Sequence, residues 1–284
     1  MRKRRNEKRL ERRFEFGKNW EGFLNVLDET RILEAERSLK GMLETNDLNN
    51  QRFLDIGSGS GLFSLAARRL GAIVHSFDYD PFSVTCAKEL KRRYFQDDPQ
   101  WTIEEGDVLD TDYLRSLGQF DIVYSWGVLH HTGDMWRALG NVTAIVNGGG
   151  KLLISIYNDQ GASSLRWASL KKLYNHSSKP IRMLIILGVG GYWEIRSALI
   201  RLMRCKNPLP FKDWTMRKRD RGMSVWHDLV DWAGGYPFEV AKPEEVFDFC
   251  RKKGFHLVKL KTCGGGIGCN EFVFVKENIQ AENI

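Results

Sequence analysis

Long hydrophobic runs are what this chain most obviously lacks. No uncharged apolar stretch among its 284 residues approaches the ~20 needed to span a bilayer. The longest, Met183 to Tyr192, is ten residues and contains three glycines. The opening MRKRRNEKRLERR is charged but leads into no apolar segment, so it is not expected to be a secretory signal. Cysteines are few and scattered: Cys86, Cys205, Cys250, Cys263 and Cys269 form no CxxC pair. That spacing indicates neither a disulfide framework nor a zinc knuckle, and the expected compartment is a reducing cytoplasm. Internal repeats and low-complexity tracts are missing as well. An apolar fraction of 42% with 28% charged residues is ordinary for a globular chain and argues against wholesale disorder.

Charge is present but uneven. The net is +7, yet residues 1–13 hold eight Lys/Arg against two Glu, and residues 201–221 hold eight Lys/Arg against two Asp. The rest of the chain is therefore mildly acidic. Such basic segments are either solvated faces or sites of attraction to anionic lipid or nucleic acid.

Periodicity divides the chain into four parts. Residues 1–50 are a basic tail and a helical extension, in which Asp28 caps a helix and Ile32, Ala35, Leu39 and Met42/Leu43 make one stripe. Residues 51–157 alternate strand and helix. Strands are expected at Phe53–Ile56, Ile73–Phe77, Trp101–Glu104, Phe120–Ser125 and Lys151–Tyr157. Helices are expected at Leu62–Leu70, from Pro81 to about Arg93, and at Ala138–Val146, with a turn at Gly148–Gly150. This rhythm means βαβ units on a parallel sheet. Residues 158–235 break it with five tryptophans, the 183–192 stretch and the second basic cluster, and read as a helical insertion capping an acceptor pocket. There the apolar stretch is expected to be buried against the sheet. Residues 236–284 return to strand–helix–strand and complete the sheet.

Parallel sheets bind ligands beyond the carboxyl ends of their strands. The first such position holds Gly57, Gly59 and Gly61, spaced G-x-G-x-G. The sixth position is Leu62, so the dinucleotide fingerprint fails. No Gly-Lys-Ser/Thr follows, so the phosphate-binding P-loop fails too. A compact loop of this kind suits a ligand that lies close to backbone and carries no pyrophosphate. Asp78 ends the second strand about 20 residues later, where a carboxylate can accept from both ribose hydroxyls. Asp107, after the third strand, can accept from an exocyclic amine, and Trp126, after the fourth, can lie against a purine face. Helix or loop capping is the competing role for the acids, and Asp80 before Pro81 fits that job better than Asp78. For Trp126 the competing role is core packing.

These segments together resemble class I S-adenosylmethionine (SAM)-dependent methyltransferases. Asp55-Ile56-Gly57-Ser58-Gly59-Ser60-Gly61 is similar to their first motif, Ser76-Phe77-Asp78-Tyr79-Asp80-Pro81 to their acidic second-strand motif, and Gly106-Asp107-Val108 to the adenine-contacting one. Phe120–Val123 through Val128-Leu129-His130-His131 resembles the fourth-strand motif, and Val146–Leu152 the segment before the fifth, with Asn147 where many members have proline. In detail the chain is most similar to the ubiquinone-biosynthesis O-methyltransferase-like group. The resemblance implies an α/β, Rossmann-like fold: a seven-stranded, mostly parallel sheet with an antiparallel last strand. It implies SAM as cofactor and S-adenosylhomocysteine as product. Cofactor contacts are implied at Asp55, Gly57, Ser58, Gly59, Gly61, Asp78, Tyr79, Asp107, Val108 and Trp126, and no metal.

Absences narrow the methyl acceptor. No Asn/Asp-Pro-Pro-Tyr follows the fourth strand, which is the signature of amino methylation on adenine, and no Pro-Cys dipeptide exists to support a cysteine adduct. The expectation is a hydroxyl oxygen on a small-molecule, glycan or lipid-linked acceptor. His131 is the candidate base, and His227 beside Asp228 a second candidate. Alternatives are an RNA methyltransferase using the basic segments, with Trp214 and Arg217–Arg219 for stacking and charge, and a non-catalytic SAM-binding protein. Peripheral contact with an anionic membrane is a further expectation.

Overall fold

The computed structural model describes residue 24, residues 27–205, residue 207 and residues 225–264 and 268–278, with backbone only at 225–228 and 231. Helix α1 (Glu29–Leu43) is capped by Asp28, whose side chain accepts from Arg31 N–H, and it buries Ile32, Ala35, Leu39 and Leu43 as the stripe requires. The alternating region supplies β1 (Arg52–Ile56), α2 (Leu62–Arg69), β2 (Ile73–Asp78), α3 (Pro81–Tyr94), β3 (Trp101–Glu105), α4 (Thr111–Ser116), β4 (Phe120–Trp126), α5 (Met135–Ala144) and β5 (Val146–Tyr157). Among the described residues, the helices α6 (Ala162–His176), α7 (Lys179–Met203) and α8 (Val225–Gly234) follow. Then come α9 (Pro243–Arg251), β6 (Phe255–Lys261) and β7 (Cys269–Lys276).

The strands form one seven-stranded sheet in the order β3-β2-β1-β4-β5-β7-β6. β1 to β5 are parallel, and β7 runs antiparallel to β5 and β6. Strand order reverses between β1 and β4, which opens a crevice at their carboxyl ends. Both faces of the sheet are covered, so neighbouring residues on one strand enter different cores. Phe53, Ile122 and Leu153 pack beneath α1 and α2, while Leu54, Val123 and Leu152 pack beneath α5 and α9.

Three local expectations differ from the structure. Helix α5 starts at Met135 rather than Ala138, and the expected turn at Gly148–Gly150 lies inside β5. There Val146 pairs with Phe120, the register then shifts, and Gly149 at φ +74° takes up the irregularity. Helix α4 escaped the sequence reading because six residues are too few to show a period; Asp110 caps it by accepting from Asp112 and Tyr113 N–H.

The largest difference concerns 183–192. Instead of lying under the sheet, it is the middle of the 25-residue helix α7, whose inner side meets α6 and α8. Tyr174, Ile186 and Ala233 form the small core between these helices. The glycines and flanking charges interrupted the apolar run in sequence but do not interrupt the helix. By length and composition α7 is apolar enough to cross a membrane.

Candidate functional site

At the end of β1 the backbone turns sharply and is tied to β2. Gly57 N–H and Ser58 N–H both donate to the Phe77 carbonyl, at 2.9 and 3.1 Å, and Gly61 N–H donates to the Ser58 carbonyl at 2.8 Å. Gly57, Gly59 and Gly61 all adopt positive φ, at +72°, +54° and +81°. Space makes the same demand: a Cβ at Gly57 would stand 2.5 Å from both γ-methyls of Val128, and one at Gly61 2.9 Å from Ala87 Cβ. The loop feeds into α2, which has no side-chain cap and no acid in its first turn. The first N–H groups of that helix are therefore suited to a carboxylate. Ser58 Oγ on the same loop is buried with no hydrogen-bond partner among the described residues.

The acids take distinct roles. Asp78 Oδ2 accepts from Gly59 N–H and Oδ1 from Asp80 N–H, both at 2.9 Å, so the carboxylate is locked against the glycine loop. Burial pushes its pKa up to about 6, opposed by the backbone hydrogen bonds from Asp80, Gly59 and Tyr79. At neutral pH it is ionised and retains acceptor capacity. Asp80 caps α3 by accepting from Phe82 N–H, as its position before Pro81 suggests. Asp107 Oδ1 accepts from Leu109 N–H, and the adjacent Val108 is buried beneath it, its carbonyl taken by Asn141. Tyr79 is half-buried beside Asp78. Trp126 closes β4 with 47% of its surface exposed, which excludes core packing.

Asp55 differs from the other acids. It is buried, and Ser64 Oγ donates to its Oδ2 at 2.5 Å. Ser76 Oγ donates in turn to Ser64, and Trp101 Nε1–H to Ser76. This chain of donors crosses β3, β2, α2 and β1 and holds the loop's flanks together. Burial raises the Asp55 pKa to about 7, against the Ser64 hydrogen bond and with help from the Asp78 charge. Between about pH 4 and 7 the folded state therefore keeps a proton that the unfolded chain has released, and stability falls as pH rises through that window. Asp55→Asn is expected to be more stable than wild type at pH 7.5, by a few kcal/mol, and to show a flatter pH dependence. Urea unfolding at pH 5 and 7.5 checks this; equal slopes for the two proteins would refute it.

The other side of the crevice is built around two histidines. Leu129–His131 form a 3-10 turn after β4. His130 is buried, accepts from Tyr157 N–H at 3.3 Å, and lies 4.1 Å from the Tyr157 ring. Burial holds its pKa well below the usual value, so it is neutral. His131 is the more exposed of the pair. Its Nδ1 lies 2.6 Å from the Pro237 carbonyl, which can only accept, so Nδ1 carries the proton and Nε2 is the basic nitrogen.

Residues 237–241 strap this corner. Glu239 N–H donates to the His130 carbonyl and Ala241 N–H to that of Tyr157, while the Glu239 carboxylate accepts from Met135 N–H at the start of α5. Lys171 of α6, only 1% exposed, donates to the Trp232 carbonyl and lies 4.4 Å from the Trp232 ring and 4.9 Å from Phe238. Trp167 and Trp193 pack on Trp232. The insertion is thus fastened to the histidine corner by one buried cation and its aromatic surroundings. Sequence reasoning missed Lys171 and Glu239, since their partners lie between 61 and 109 positions away. His227 lies on the backbone of α8, its side chain outside the described residues, as are Trp214 and Arg217–Arg219. Arg31 pairs with Asp28.

The comparisons with known proteins follow this geometry. Residues 54–152 match the family described as a methyltransferase domain. A ubiquinone biosynthesis O-methyltransferase of Coxiella burnetii is 29% identical over 48% of this chain and 53% of its own length. One from Bradyrhizobium is 33% identical over 48% and 52%, and one from Cereibacter sphaeroides 29% identical over 84% and 72%. The chain thus spans about half the length of the first two relatives. Among solved structures, magnesium protoporphyrin IX methyltransferase from Synechocystis with bound S-adenosylhomocysteine superposes at TM-score 0.51 and 14% identity, covering 87% of this chain and 83% of that one. The [4+2]-cyclase SpnF superposes at 0.52 and 11%, covering 87% and 80%. Sheet order, glycine loop and family match together identify residues 54–152 as a class I SAM-dependent methyltransferase domain.

Proposed function

We propose that this protein transfers a methyl group from SAM to a hydroxyl oxygen of a small-molecule acceptor. The observation that carries the reading is the Asp78 carboxylate, held at the glycine loop by Gly59 N–H with Asp107 one strand further on. A carboxylate there suits ribose hydroxyls, the uncapped start of α2 suits the amino acid carboxylate, and Val108 and Trp126 offer apolar surface for adenine. When bound, SAM supplies an activated methyl on a sulfonium. The chain's own residues must then align the acceptor, exclude water and remove a proton.

His131 suits the last task. The Pro237 carbonyl fixes its tautomer, and the strap fixes its ring, so Nε2 is its basic nitrogen. The names of the relatives support an oxygen acceptor, and the missing Asn/Asp-Pro-Pro-Tyr argues against an adenine amine. One fold can carry different chemistries, so the acceptor reading rests on the histidine corner and not on the sheet. The insertion and strap form the acceptor side.

The test is methyl transfer from radiolabelled SAM to a panel of phenols and catechols, with His131→Ala alongside. His131→Ala is expected to lower kcat by about 10²–10⁴ while leaving SAM affinity unchanged. Undiminished turnover in the variant would remove His131 as the base. SAM binding without transfer to any hydroxyl, or salt-sensitive capture of RNA with base methylation, would replace the oxygen reading.

A further inference from the structure

Helix α7 leaves a continuous apolar stripe uncovered among the described residues. Ile181, Leu184, Tyr192, Ile195, Leu199 and Leu202 follow one another at spacings of three, four and eight. At 3.6 residues per turn they fall within an arc of about 100°. Their exposure is high: 68% at Leu184 and 64% at Ile195, with 76% at Met203 near the helix end. Isolated exposed leucines need no explanation, but a stripe running the length of a 25-residue helix does.

The opposite side of α7 is committed to the protein. Ile186 and Val189 are buried, and a Cβ at Gly190 would stand 3.2 Å from Leu229 Cδ1 of α8. Arg182 is likewise bound, donating to the Tyr174 and Asn175 carbonyls. Helices α6 and α8, which pack on α7, are at 15 and 10 residues too short to span a bilayer beside it, so α7 is not placed to cross one. It is placed to lie flat on one.

Charge selects the occupant. Residues 162–205 contain eight Lys/Arg and one acid, Glu194. Arg166, Lys172, Lys179, Arg196 and Arg204 are exposed, and α6 adds exposed Leu165 and Leu173. A second copy of the chain would bring this same basic excess against itself. An anionic lipid surface takes both parts, the stripe in the acyl boundary and the arginines and lysines at the head groups.

We infer that α7, with α6, docks this protein on an anionic membrane surface. Lys171 links α6 to the strap at His131, so docking places the acceptor side of the crevice near the lipid interface. An acceptor with an apolar tail would then reach the site without leaving the bilayer. The docking itself does not depend on which acceptor is used.

Flotation of the full chain with vesicles tests it. Wild type is expected to float with vesicles containing phosphatidylglycerol and to remain behind with phosphatidylcholine alone. Leu184→Glu combined with Ile195→Glu should weaken binding at least about 100-fold, roughly tenfold for each large side chain withdrawn from lipid. Arg196→Glu with Arg204→Glu should lower it and weaken its salt dependence. All four positions are exposed, and SAM titration of each variant confirms that the site is intact. Absence of flotation by a folded, SAM-binding wild type would overturn the inference and leave the proposed activity standing. A dimer in sedimentation that the stripe variant abolishes, without vesicle binding, would overturn it in favour of a second copy.

Discussion

Asp78→Ala is expected to weaken SAM binding by about two to four orders of magnitude, the loss of two charge-assisted hydrogen bonds at about 1.5–3 kcal/mol each. The carboxylate contributes twice, since its Oδ2 also holds Gly59 N–H and so sets the loop's shape. The fold should survive, because burial already raises the Asp78 pKa to about 6 and the alanine variant removes an unfavourable buried charge. Calorimetric titration of both proteins measures the ratio. Wild-type affinity should itself fall as pH drops below about 6, where Asp78 takes up its proton and loses one acceptor. Alanine-variant affinity within a few-fold of wild type would remove Asp78 from the cofactor site. A folded wild type that gives no heat at all would remove SAM.

Gly57→Ala carries the largest expected cost in stability, about 2–5 kcal/mol. Two effects add there. A left-handed backbone costs a residue with Cβ roughly 1–2 kcal/mol, and the new methyl would sit 2.5 Å from the Val128 γ-methyls, an overpacking of about 1–3 kcal/mol. Out of a typical total of about 5–15 kcal/mol, that is a large fraction. Adding Val128→Ala should return the packing share and leave the backbone share. Urea midpoints of the two single variants and the double variant separate them. A loss below about 1 kcal/mol in Gly57→Ala, or no recovery in the double variant, would contradict the geometry.

Much of the glycine-loop side of the crevice was legible in the linear order of residues. G-x-G-x-G after a short apolar strand, acids at the next two strand ends and a tryptophan at the fourth are local patterns, because each strand end is a few consecutive residues. Parallel topology makes those ends coincide in space, so local signals add up to a site. Asp55 shows the limit of that inference. It begins the motif, yet its carboxylate is occupied by Ser64, a partnership visible only once α2 folds back on β1.

The histidine corner was far less legible. Which histidine is buried, and which nitrogen of His131 is basic, depends on Pro237, 106 positions away, meeting a 3-10 turn. Lys171 would pass for an ordinary helical lysine until Trp232 and Phe238 close around it. The 183–192 stretch shows the same dependence. Apolar composition alone predicts burial, but burial needs a surface to pack on, and α6 with α8 covers only one side of α7. Residue order determined the sheet, the glycine loop and its acids, because short-range periodicity and turn chemistry suffice for those. Only the tertiary contacts decided the histidine tautomer, the buried lysine and the exposed stripe, because each depends on groups brought together from distant parts of the chain.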